Sequence, residues 1–130
     1  MQAAGLDRSL LDVIQSSLRH RAALCELVLA VYRVELTSTL RRMAGSGVEE
    51  GDVDHVHALA ESIAVAATAA AMPLVEEGAL RLKRRAIAAH GGGKREEGAM
   101  FAAGLEVIDR ILDTAKAALA KRPQRSDALN

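Results

Sequence analysis

Apolar or small side chains recur at Leu11, Ile14, Leu18, Ala22, Cys25, Leu29, Tyr32, Leu36, Leu40 and Met43, in steps of three and four. That spacing lines one face of an α-helix. No Gly or Pro interrupts the chain from Asp7 to Met43. Asp7 and Ser9 are candidate caps and Gly45 a natural stop, so the pattern predicts one helix over 8–44. At ~1.5 Å per residue it reaches about 55 Å, more than a small compact domain needs. Its middle, Ala22 to Leu36, is apolar on nearly every face, with Glu26, Arg33 and Glu35 the only charges. Such a segment needs neighbours on several sides. Asp12, Arg19, Glu26 and Arg33 follow at seven-residue intervals with alternating sign. This stripe is either a solvated row of weak ion pairs or a contact that sets the register of a partner helix.

The loop Gly45-Ser-Gly-Val-Glu-Glu-Gly51 separates this helix from a second, for which Asp52 or Asp54 is the expected cap. Val53, Val56, Ala60, Ile63, Ala67, Ala70 and Leu74 form its seam, rich in Ala and so suited to close packing. Pro73 either kinks this helix or restarts it, giving segments over 53–72 and 74–90. After Gly91-Gly-Gly93 a last helix is expected over 95–121, stopped by Pro123 and followed by a mobile tail. Its seam, Phe101, Leu105, Ile108, Leu112, Ala115 and Leu119, is the cleanest heptad pattern in the chain. The expected fold is therefore a single all-α domain over 1–130, an extended helical bundle completed by partner subunits. The interface positions are Leu11, Ile14, Leu18, Cys25, Leu29, Tyr32, Leu36, Phe101, Leu105, Ile108 and Leu112.

Composition narrows this picture. Tyr32 and Phe101 are the only aromatic residues, which disfavours stacking on single-stranded bases. The single cysteine, Cys25, rules out an internal disulfide and any multi-cysteine zinc site. The longest uncharged run, Ser62 to Val75, is shorter than the ~20 apolar residues a membrane span requires, so none is expected. The opening residues carry no signal-peptide pattern, so the expectation is a chain inside a cell or within a virion-like assembly.

Net charge is zero, yet Arg81, Lys83, Arg84, Arg85, Lys94 and Arg95 fall between Gly78 and Arg95 without an acid among them. Arg41 and Arg42 end the first helix, and Lys116, Lys121, Arg122 and Arg125 lie near the end of the last. Segregated cations of this kind suit nucleic-acid phosphates, with solvated helix ends as the alternative.

Dedicated chemistry is sparse. Asp54, His57 and Glu61 share a helix face, but the Glu-x-x-His pairs of di-iron bundles do not occur, so neither metal nor cofactor is expected. Glu49 and Asp52 resemble the Glu-x-x-Asp half of the all-α nucleotide pyrophosphohydrolases, whose Glu-x-x-Glu half is missing here. Arg85-Ala-Ile-Ala-Ala-His90 is similar in spacing to the Arg-x4-His of HEPN-family ribonucleases. That resemblance implies a dimer in which His90 moves a proton and Arg85 stabilises phosphate charge.

In size, helix length and charge placement the whole chain resembles the α-helical coat proteins of filamentous double-stranded DNA viruses of archaea. The resemblance implies cationic helix faces tracking phosphates and apolar seams closing the filament. A structural, non-enzymatic subunit that forms homo- or hetero-oligomers and binds phosphates without base readout is the first expectation. The HEPN-like ribonuclease and a helical adaptor or chaperone are the alternatives.

Overall fold

The computed structural model describes the backbone of residues 2–121 and the side chains of residues 10–120. The expected tail, with Arg122 and Arg125, lies outside them. The described residues form four α-helices and no strand: α1 (Gln2–Ser46), α2 (Asp52–Ala69), α3 (Pro73–Ala89) and α4 (Lys94–Lys121). Each helix packs on the next, and α4 closes against α1. The short connections make successive helices antiparallel, so the arrangement is an up-down-up-down four-helix bundle.

Three boundaries differ from expectation for local reasons, and one left open at Pro73 is decided. Helix α1 runs through Gly45 to Ser46 and turns at Gly47, φ 87°. Helix α1 starts at Gln2, ahead of Asp7 and Ser9, because Gln2, Ala3 and Ala4 are good helix formers that extend it by another turn. Neither Asp52 nor Asp54 caps α2; that position is taken by Gly51 at φ 88°. Asp52 instead turns its buried carboxylate back to accept the Glu49 N–H at 2.6 Å and the Arg42 guanidinium. Pro73 restarts the chain as the first residue of α3, where its missing N–H costs nothing.

The turn before Pro73 closes α2 with paired backbone bonds, Met72 N–H to Ala67 O at 2.8 Å and Ala71 N–H to Thr68 O at 3.1 Å. This motif puts Ala71 at φ 57°, the left-handed region where glycine is usual.

Leu36 and Leu40 of α1, Val56, Ala60 and Ile63 of α2, Val75, Ala79 and Leu82 of α3, and Met100 and Val107 of α4 fill the core. Ala60 and Ala67 of the Ala-rich α2 seam are fully buried, and glycines on α4 and α3 mark close approaches elsewhere. A β-carbon on Gly104 would lie 2.8 Å from Leu40 Cδ1, and one on Gly78 would lie 3.1 Å from Arg110 Cδ.

With 45 residues against the 18 of α2, α1 is about 67 Å long and α2 about 27 Å. Leu29 and Met72 line the same 180 Å³ cavity, which sets Leu29 level with the α2–α3 turn. Everything in α1 before Leu29 therefore projects beyond the short helices, accompanied for part of the way by the end of α4.

Candidate functional site

The expected interface seam divides at the level of Leu29. Leu29 and Leu36 are buried in the chain's own core, as is Ile108 of α4, so these three pack internally instead of meeting another subunit. The reason is geometric: below Leu29 the bundle's own helices occupy the face that the seam presents. Tyr32, Phe101 and Leu112 are half-buried against the same core, and Cys25 is half-buried above it. Leu11, Ile14 and Leu18 are 49–56% exposed on the projecting arm, and Leu105 is exposed on α4.

A second bare face was not singled out from the periodicity. Leu10, Val13, Leu24, Leu27, Val31 and Val34 are 57–63% exposed. At about 100° per residue they lie on the side of α1 that points away from the bundle. Their steps of three and four, interrupted between Val13 and Leu24, carry a helical signal, as does the all-round apolarity of Ala22 to Leu36. The exposed aliphatic run Leu24, Leu27, Val31 and Val34 is the kind of surface that marks an interaction site.

The cations gather at the opposite end. The α1–α2 loop and the α3–α4 turn adjoin there, since Glu49, Gly51, Asp54, His90 and Gly91 border one depression. Folding brings acids to the basic stretch that sequence order had kept apart. Arg81 bonds Glu106 at 2.9 Å and Glu77 at 3.2 Å, Lys83 meets Glu61 at 3.1 Å, and Arg42 holds Asp52 and Glu49. These three cations are therefore committed to carboxylates within the subunit. Arg41, Arg84, Arg85, Lys94 and Arg95 are exposed and have no carboxylate partner among the described residues. Glu96 and Glu97 share the first turn of α4 with the last two, so the end is mixed in sign.

Arg110 completes a clamp between α3 and α4. It bonds Glu106 at 2.6 Å and the Leu74 carbonyl at 2.7 Å, over the space left by Gly78. Burial pushes the Glu106 carboxyl up, but the hydrogen bond from Arg81 and the charges of Arg110 and Arg81 override it and hold it below the usual glutamate range. The Lys83 ammonium lowers Glu61 in the same sense, by hydrogen bond and by charge.

Of the remaining motifs, Arg85 is exposed on α3 and His90 follows its last turn, with Nε2 3.3 Å from Asp54 Oδ1. His57 faces Glu61 at 3.8 Å, and His55 of α2 faces Glu35 of α1 at 3.2 Å. His20 sits on the arm with Nδ1 2.8 Å from the Ser16 carbonyl. No group of three His, Cys, Asp or Glu side chains converges among the described residues, and Glu49 and Asp52 are both turned to Arg42. Among the described residues no helix is long and apolar enough to cross a membrane. No family model, characterised protein or solved structure matches the chain.

Proposed function

We propose that this protein is a structural subunit of a larger helical assembly, joined to its neighbours through α1, and that its unpaired cations contact nucleic-acid phosphates without reading bases. One observation carries the reading: α1 projects from the bundle with two bare apolar faces. One face continues the core seam through Leu11, Ile14 and Leu18; the other runs along the outside through Leu10, Val13, Leu24, Leu27, Val31 and Val34. Burying a Leu, Val or Ile side chain fully is worth about 1.5–3 kcal/mol, so two such rows hold a large incentive to associate. Two separate interfaces on one rod let assembly propagate, whereas a single two-fold interface closes at a dimer. That is the feature a coat-type subunit needs. Phosphate contact falls to Arg41, Arg84, Arg85, Lys94 and Arg95, the cations that remain exposed and uncommitted.

Sedimentation of the full chain across the micromolar range tests association. The expected result is oligomers whose size grows with concentration; a compact monomer that binds no apolar dye would overturn the reading. Retention on duplex DNA that weakens steeply with salt and ignores base sequence tests the phosphate part. Cleavage of RNA that His90→Ala abolishes would replace it with the ribonuclease, whereas the same change should barely alter binding under the assembly reading.

A further inference from the structure

Resting on the assembly reading above, the outer face of α1 also carries the information that chooses its partner. Val13, Ser16, His20, Ala23, Leu27 and Ala30 repeat in steps of three and four along it, large residues interleaved with small ones. On one flank run Asp12, Arg19, Glu26 and Arg33; on the other, Leu10, Ser17, Leu24 and Val31. None of the four charged residues has an ion-pair partner within its own subunit among the described residues.

We infer that a second copy of this chain packs antiparallel along this face, with the two-fold axis crossing α1 close to Arg21 and Ala22. In that register every large core residue meets a small one: Val13 lies against Ala30 of the partner subunit, Leu27 against Ser16 of the partner subunit, and His20 against Ala23 of the partner subunit. The flanks match at the same time. Asp12 faces Arg33 of the partner subunit and Arg19 faces Glu26 of the partner subunit, and two-fold symmetry repeats both pairs. On the other flank Leu10 meets Val31 of the partner subunit. A parallel pair in register would instead set the charged stripe against Ser17, Leu24 and Val31, leaving no ion pair at all. Charge complementarity thus selects both the orientation and the register.

The rest of the subunit permits this. The core lies on the opposite side of α1, where Leu29, Leu36 and Leu40 are buried, and α4 borders only one edge of the face, where Glu26, Ala30 and Arg33 line a cavity with Leu112 and Ala115. In the antiparallel pair the two bundles fall at opposite ends and on opposite sides of the shared rod. The overlap from residue 10 to residue 34 spans about 36 Å. Leu11, Ile14 and Leu18 stay uncovered, which leaves the second interface open for further growth.

The test uses the full chain with Cys25→Ala, to which Val13→Cys or Ala30→Cys is added. Mild oxidation of an equimolar mixture of the two variants is expected to give a covalent dimer containing one chain of each. Neither variant should cross-link alone, because identical positions are about 25 Å apart in this register and a disulfide needs α-carbons within about 7 Å. Arg19→Glu should weaken the dimer about tenfold by reversing two symmetric pairs, and adding Glu26→Arg should restore it to within about threefold. Cross-linking of Val13→Cys alone would show a parallel pair and overturn the inference. So would oligomers that form no mixed cross-link and ignore Arg19→Glu, although these would leave the assembly reading intact. A monomer at every concentration would remove both.

Discussion

Leu40 seats a methyl group too close to leave room for a β-carbon on Gly104: a carbon built there stands 2.8 Å from Leu40 Cδ1. Gly104 is what lets α1 and α4 come this close. Leu40 is fully buried, so its side chain has little room to yield. Gly104→Ala gains about 1 kcal/mol of helix propensity but meets an overpacking cost of about 1–3 kcal/mol, for a net loss on the order of 1 kcal/mol. On the same helix a β-carbon at Gly98 meets nothing within 4 Å. Gly98→Ala should therefore stabilise by about 0.8 kcal/mol. Urea midpoints of the two variants should move in opposite directions, and a stabilising Gly104→Ala would deny the close approach.

Two leucines a half-turn apart separate folding from association. Leu29 is fully buried and Leu27 is 63% exposed. Leu29→Asp buries an unpaired carboxylate and should cost several kcal/mol, removing the cooperative thermal transition. Leu27→Asp should keep wild-type helicity and melting while reducing oligomer size. Circular dichroism and sedimentation on both variants decide the matter; wild-type oligomers from Leu27→Asp would mean that the outer face stays in solvent.

The basic end makes a quantitative demand. On duplex DNA, log K falls against log salt with a slope of roughly 0.9 per phosphate neutralised, so replacing two contacting cations should lower the slope by about 1.8. Arg84→Glu with Arg85→Glu should produce that change and abolish most binding without loss of helicity. The same pair of replacements at Arg81 and Lys83 should act mainly on stability, since both hold carboxylates in the fold. An unchanged slope after the first pair would remove nucleic acid from the account.

Acid should loosen the α3–α4 clamp. A carboxyl whose value is lowered in the fold stabilises above its unfolded value, and that contribution is lost as pH falls through the folded one. Glu106 and Glu61 both shift downward. Stability should hold from neutrality to about pH 5 and decline below about pH 4.3. Glu106→Gln should be less stable than the parent at pH 7 and lose less on acidification; parallel stability curves for the two proteins would show that the clamp is energetically idle.

Helix order and approximate ends were legible because period and punctuation are local: Gly51, Pro73 and Gly91 sit where the chain turns, although α1 runs through Gly45 to turn at Gly47 and Pro73 alone left kink and restart both open. What sequence could not reveal was which neighbour takes each face. Leu11 and Leu36 belong to the same stripe, yet one is exposed and the other buried, because α2 and α4 reach only part of the way along α1. The ion pairs that Arg81 and Lys83 make were hidden for a related reason. Glu61 and Glu106 lie about twenty residues or more from Lys83 and Arg81 in the chain, and only the antiparallel packing of α3 between α2 and α4 brings them into contact.

Ala71 gives the α2–α3 turn a kinetic role. Holding an alanine at φ 57° costs about 1 kcal/mol relative to glycine, so the turn resists closing until the faces it joins have already met. The α2–α3 hairpin is thereby handicapped as a nucleus, and its closure waits on contacts farther from the turn, such as Lys83 with Glu61. Ala71→Gly should therefore slow unfolding and leave the refolding rate nearly unchanged; faster refolding would show that the turn is already closed at the barrier.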